Sequence, residues 1–85
     1  MKKIEFNHNK NVISKQLARI RQEKEMSQQD LANQMQIMNV NIDQQMISRI
    51  ELNKRMVTDY ELACFCQILG VSEKEMLDDF YKGDV

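Results

Sequence analysis

An all-α domain of five short helices is the fold that this 85-residue sequence predicts. Three observations carry that expectation. Apolar residues recur at three- and four-residue spacing, not in strand-like alternation. There is no Pro, and Gly occurs only at 70 and 83, so little interrupts a helix. Ser27, Asp43, Thr58 and Ser72 each precede a helix-periodic run, where a side-chain oxygen can accept the unpaired amides of a helix start.

The elements follow in order. Residues 1–11 are polar and rich in Asn and Lys, and read as a flexible N-terminal arm. The globular domain spans 12–81, with a short tail at 82–85. A first helix covers about Val12 to Lys24, with Ile13, Leu17 and Ile20 in period and Arg21 at the edge of that face. Ser27 caps a second helix that begins at Gln28 and reaches the Met35–Met38 region. Asp30 stands in the capping-box position, and Leu31, Ala32 and Met35 mark the buried side. The stretch from Gln36 to Ile42 loses the period, and Asn39 or Asn41 is suited to a left-handed turn.

Asp43 caps a third helix, about Gln44–Leu52, that buries Ile47 and Ile50. Asn53 is expected to end it, with Lys54 and Arg55 in the loop beyond. Thr58-Asp-Tyr-Glu61 is a full capping box opening a fourth helix to about Leu69, with Leu62, Phe65, Cys66 and Leu69 on one side and Gly70 as its stop. Ser72-Glu-Lys-Glu75 reads as another full box, opening a short fifth helix to about Phe80 with Met76 and Leu77 inward.

Composition narrows the function. Net charge is only −1, but residues 1–56 carry ten Lys/Arg against six Asp/Glu, and residues 57–85 carry two against seven. A basic front and an acidic back suit a module that meets phosphate with one face. Cys64 and Cys66 lie two apart on a helix and point different ways, so two reduced, mostly buried thiols are expected. Met26, Met35 and Met76 fit core positions; Met38, Met46 and Met56 fit less well. The lone His8 has no partner pattern, and Glu73, Glu75, Asp78 and Asp79 read as the solvated side of the last helix. No Ser/His/Asp set, phosphate loop or paired acidic site is present, so neither an enzyme nor a metal or other cofactor is expected. No apolar run nears the ~20 residues of a membrane span. The first residues lack a signal-peptide core, which points to the cytoplasm.

The polar edge of the third helix is the candidate site. Its N-terminal end presents Gln44, Gln45 and Met46, and a Gln amide matches the N6 and N7 edge of adenine. Ser48 and Arg49 lie one turn on. Arg49 is four residues from Gln45, opposite the Ile47/Ile50 side, and can reach guanine O6 and N7 or a phosphate. Around it, free amides at the start of the second helix suit a phosphate, as do Gln28 and Gln29. Ser48, Asn53, Lys54 and Arg55 are the other expected backbone contacts, with Lys15 and Arg19 as weaker candidates.

The ordered set Leu17-Ala-Arg-Ile-Arg21, Met26-Ser-Gln-Gln-Asp-Leu-Ala32, Ile47-Ser-Arg-Ile-Glu51, Asn53-Lys-Arg55 and Leu69-Gly-Val-Ser72 resembles the helix-turn-helix domain of the phage repressor and Cro family, the XRE-type regulators. The likeness spans about residues 12–80. It implies a compact, lambda-repressor-like fold in which the third helix enters the major groove. It implies base contacts from the positions matching Gln44, Gln45 and Arg49, a backbone contact from Gln28, and a structural ion pair between Arg21 and Glu51. Two features depart from the family pattern. The Gln36–Ile42 connection is about five residues longer than the usual Gly-containing turn, which would tilt the third helix or add a backbone contact. Thr58 stands where many relatives have a Pro-containing loop.

The function expected from the sequence is a sequence-specific, double-stranded DNA-binding transcriptional regulator, a repressor, acting as a homodimer on a two-fold site. Leu77, Phe80 and Tyr81 of the last helix form the candidate dimer surface. The alternative is an antitoxin-like or other protein-interaction module of the same fold, in which a protein partner occupies the Met-rich edge or the acidic C-terminal third.

Overall fold

The computed structural model describes residues 5–85. Its helices are α1 (Ser14–Glu23), α2 (Gln28–Ile37), α3 (Gln44–Glu51), α4 (Asp59–Leu69), α5 (Glu73–Met76) and α6 (Asp78–Tyr81). The all-α class is as expected, but the last expected helix is two. Leu77, with ψ of 13°, closes α5 and opens α6. The break leaves Met76 in the core while α6 turns outward and buries no residue fully.

The core collects the periodic faces. Leu17 and Ile20 from α1 meet Leu31, Ala32 and Met35 from α2 and Ile47 and Ile50 from α3. Phe65, Cys66 and Leu69 from α4 and Met76 from α5 complete it. Each large aliphatic side chain so buried contributes about 1.5–3 kcal/mol of transfer free energy. α2 packs against both α3 and α4, and α1 packs on α3, so α3 is held from two sides. Met26, Met38 and Met46 pack partly buried on this cluster, whereas Met56 is exposed.

Side-chain caps set the helix starts. Ser27 Oγ accepts from the Asp30 amide at 2.9 Å while an Asp30 carboxylate oxygen accepts from the Ser27 amide at 3.0 Å. The Ser27 backbone amide, and after it the Ser27 hydroxyl, thereby hold the Asp30 carboxyl below its ordinary value. Thr58 and Glu61 form the same reciprocal box, and Asp43 accepts from the Met46 amide at 2.8 Å. Ser72 makes only half of its expected box. Its Oγ takes the Glu75 amide at 3.0 Å, while the Glu75 side chain stays in solvent. α1 begins at Ser14, two residues later than its period suggests, with no side-chain cap; Asn11 Oδ1 accepts the amide of the preceding Ile13 at 2.9 Å.

The C-terminal ends share one device. After α1, α2 and α3 the chain turns through a left-handed residue, at Glu25, Asn39 and Asn53 respectively. In each case that residue's amide and the next one bond back to carbonyls of the last turn, as with Lys54 N–H to Arg49 O at 2.8 Å. Gly70 ends α4 at φ 69°, a backbone region that suits glycine.

The connection between α2 and α3 is a built part of the fold. Asn39, at φ 63°, takes the place where glycine is usual, and Val40 and Ile42 turn into the core. Gln36 Nε2 donates to the Ile42 carbonyl at 3.1 Å and steadies the turn. The period is lost here because the buried residues sit on irregular backbone.

The segment expected to be a loose arm is hydrogen-bonded from Phe6 onward; its first four residues lie outside the described ones. Phe6 and Asn9 exchange backbone bonds of 2.9 and 2.8 Å, and residues 9–11 are fixed to the end of α3. Both cysteines are free thiols, and burial pushes the Cys66 thiol up to about 11, which keeps it protonated and unreactive near neutral pH. Among the described residues no helix is long and apolar enough to cross a membrane.

Glu25 is the costly member of the left-handed set, at φ 57° on the surface. A left-handed residue with a Cβ costs roughly 1–2 kcal/mol, partly offset in glycine by a larger entropy loss. Glu25→Gly is therefore expected to stabilise the domain by about 1 kcal/mol, raising Tm by ~4–8 °C in a thermal melt. An unchanged or lower Tm would count against the strain.

Candidate nucleic-acid interface

A single carboxylate organises the candidate site. Arg21, in the last turn of α1, donates from Nε and Nη2 to the two oxygens of Glu51 at 2.7 and 3.0 Å. Its third contact is Nη1 to the Met26 carbonyl at 2.8 Å. Both side chains are nearly buried, 10 % and 8 % exposed. The side-chain hydrogen bonds to Glu51 raise the Arg21 pKa despite the cost of burial. Gln28, the first residue of α2, donates Nε2 to the same Glu51 at 2.9 Å. Gln44, the first residue of α3, in turn donates Nε2 to Gln28 Oε1 at 2.6 Å. The chain of bonds runs from α1 through both ends of α3 to the start of α2. Glu51 is internally compensated, so it leaves no unpaired negative charge at the end of α3.

Beyond that network α3 presents a polar edge. Ile47 and Ile50 are fully buried, and Gln45 and Arg49 on the other side are exposed. Arg49 has no ion-pair partner among the described residues. Eight residues at 1.5 Å rise give an edge of about 12 Å, close to the width of the major groove. Lys54 is exposed and likewise unpaired among the described residues. Ser48 is half-buried. Gln29 is exposed, with Nε2 bonded to Asn33 Oδ1 at 2.9 Å.

Other candidates from the sequence are engaged inside the protein. Gln28 and Gln44 are half-buried and tied to each other, leaving only their remaining amide capacity outward. Asn53 Oδ1 accepts the Lys10 amide at 2.8 Å and the Asn11 amide at 3.3 Å, and its Nδ2 donates to Asn9 Oδ1 at 2.7 Å. Arg55 grips the buried Glu61 with two bonds of 3.0 Å and also reaches the Met56 carbonyl. Arg19 is paired with Glu23 at 2.8 Å on the same helix face. Sequence reasoning missed Asn11, whose Nδ2 donates to the carbonyls of Ile50 and Arg55 at 3.0 and 2.9 Å. Its partners lie about forty residues away, and no local pattern signals such a bond. Glu61 was visible only as a cap; its pairing with Arg55 has no helical spacing behind it. Among the described residues no group of three or more His, Cys, Asp or Glu could hold a metal ion.

The family model for helix-turn-helix proteins matches residues 17–76, from within α1 to the end of α5. The chain belongs to the XRE-type helix-turn-helix family. It is a DNA-binding transcriptional regulator, and double-stranded DNA is its partner. No curated protein and no solved structure matches the chain. The family is one of DNA binders, not of enzymes. In this XRE-type regulator the match begins at Leu17 and ends at Met76, so the network around Glu51 lies wholly inside it.

Removing one partner of a nearly buried pair leaves the other uncompensated. Arg21→Ala is expected to cost about 3–5 kcal/mol in a denaturant titration. That is much of the ~4–13 kcal/mol that a domain of this size holds. A loss below about 1 kcal/mol would show the pair to be incidental.

The Arg55–Glu61 pair gives the domain an acid limit. Burial alone would raise the Glu61 carboxyl, but the Arg55 side chain and the Thr58 amide outweigh it and hold it below its ordinary value. A depressed carboxyl stabilises the fold above its unfolded pKa, about 4.3, and that contribution is lost as pH falls through the folded value. Stability is thus expected to drop on acidification below about pH 4.3. In Glu61→Gln the wild-type excess at neutral pH should vanish and the acid slope flatten. An identical acid slope in the variant would assign that loss to other carboxyls.

Proposed function

We propose that this regulator reads duplex sequence by lodging the exposed edge of α3 in the major groove, and that it acts as a repressor. Gln45 and Arg49 supply the base contacts, with Gln44 adding what its tie to Gln28 leaves free. The observation that carries the reading is the exposure of Gln45 and Arg49 directly opposite the fully buried Ile47 and Ile50. A Gln amide with donor and acceptor side by side and an Arg guanidinium with paired donors, on a rigid helix and without side-chain partners among the described residues, match the hydrogen-bonding edges of base pairs.

Backbone contacts follow from the same docking. Lys54, Gln29, Ser48 and the amide groups at the start of α2 face the flanking phosphates. Asn53, Arg55 and the Gln28 side chain act as scaffold in this reading, because their polar groups are held inside.

The assembly is proposed as a two-fold dimer on a palindromic site, which doubles the contacts available to so small a domain. Phe80 and Tyr81, 40 % and 63 % exposed, continue into Phe6 through ring centroids 5.5 and 5.4 Å apart. Leu77 of the expected dimer surface packs against the core instead. The same exposed aromatic group supports the second reading, a protein partner in place of a second copy.

Selection of bound duplexes from a random pool should yield a two-fold consensus. Gln45→Ala combined with Arg49→Ala should abolish the shift of that duplex while the circular dichroism spectrum is kept. Gln45→Ala alone should relax preference at one base position and cost ~1–3 kcal/mol. Lys54→Ala should weaken all duplexes alike and reduce the salt slope by about one. If both single changes weaken every duplex equally, the division into base and phosphate contacts is wrong.

A further inference from the structure

We infer that Lys10 is an additional phosphate-contacting residue and that Asn53 is the positioning residue that holds it beside the recognition helix. The inference rests on the proposed docking of α3 and extends the interface to a segment outside the matched family region, which begins at Leu17.

The geometry comes from the end of α3. Asn53 lies four residues beyond Arg49, as Arg49 lies four beyond Gln45, so it continues the exposed edge at the point where the helix stops. Its φ of 60° turns the chain there, and its side-chain amide meets the 9–11 segment. That amide makes three bonds to one short segment: Oδ1 accepts from the Lys10 and Asn11 amides, and Nδ2 donates to Asn9 Oδ1. Asn11 locks the same segment from beneath, through its bonds to the Ile50 and Arg55 carbonyls. The Lys10 backbone is therefore fixed within 2.8 Å of the residue that precedes Lys54.

Lys10 carries the charge that such a position can use. Its side chain is 43 % exposed and its ammonium rests on Glu5 at 3.0 Å. A surface pair of this kind is held weakly, and a DNA phosphate can take the place of the carboxylate. Lys10 and Lys54, joined through Asn53, then grip the backbone on one side of the groove. Asn53 needs its side chain for this role, not only its backbone conformation. A glycine could make the turn but could not hold the segment.

The test measures duplex affinity against salt for the full chain and four variants, each checked for folding by circular dichroism. Lys10→Gln should lower affinity for every duplex alike and reduce the salt slope by about one. Asn53→Gly, which keeps the left-handed turn, should produce the same loss. The double variant should lose no more than either single one. Arg49→Ala reports separately on the groove reading. If it abolishes specific binding while Lys10→Gln leaves the slope unchanged, the Lys10 contact is overturned and the groove reading stands. If Lys10→Gln lowers the slope but the two losses add, Asn53 is overturned as its positioner. If the wild type binds no duplex, or Arg49→Ala binds like it, both fall. Lys10→Gln alters an exposed side chain, so it decides the central point even if Asn53→Gly does not fold.

Discussion

The Glu51 carboxylate is where α1, α2 and α3 meet. It accepts two bonds from Arg21 and one from Gln28, and Gln28 passes the contact on to Gln44. A nearly buried carboxylate without these partners would be expensive, so the fold is obliged to bring all of them together. That obligation fixes how α3 lies across α2. Apolar packing alone would hold the helices in contact but tolerates sliding, because Leu, Ile and Met surfaces are not directional. Directional bonds from the first residue of α3 and from its last make the orientation single-valued.

This division of labour explains how an acidic protein can carry a DNA-binding face. The carboxylates at the starts of α2 and α3 and the end of α3 are engaged by the protein itself: Glu51 by Arg21, Asp30 and Asp43 as helix caps. Four further acids, Glu73, Glu75, Asp78 and Asp79, sit in the first turns of α5 and α6, where the helix dipole favours them. Total charge is therefore a poor guide here; the placement of each charge decides the potential that a duplex would meet.

Much of the fold was legible because its signals are local. Ser27, Asp43 and Thr58 cap where their sequence positions suggest, and Asn53 and Gly70 end their helices. Apolar period placed Leu17, Leu31, Ile47 and Phe65 inside. The Arg21–Glu51 geometry was readable only through family resemblance, since thirty residues separate the partners. What stayed hidden was polar and long-range. The Asn9–Asn11 contacts with Asn53, and the grip of Arg55 on Glu61, depend on which loops the finished fold brings together. A short polar segment rich in Asn reads as disordered from composition, and only its distant partners make it ordered. The split at Leu77 was hidden too, because a one-residue change in ψ leaves the apolar spacing intact.

The α2–α3 connection belongs to the interior as much as to the surface. Val40 and Ile42 lie on the turn yet belong to the interior. An alignment that treats this connection as a surface insertion would open its gap across two core side chains. Trimming Val40 and Ile42 out of the turn would leave a void roughly the size of those side chains, not merely a tighter bend. Equivalent positions on either side are best matched from the helix caps, Ser27 before and Asp43 after, with the intervening volume counted as part of the hydrophobic interior.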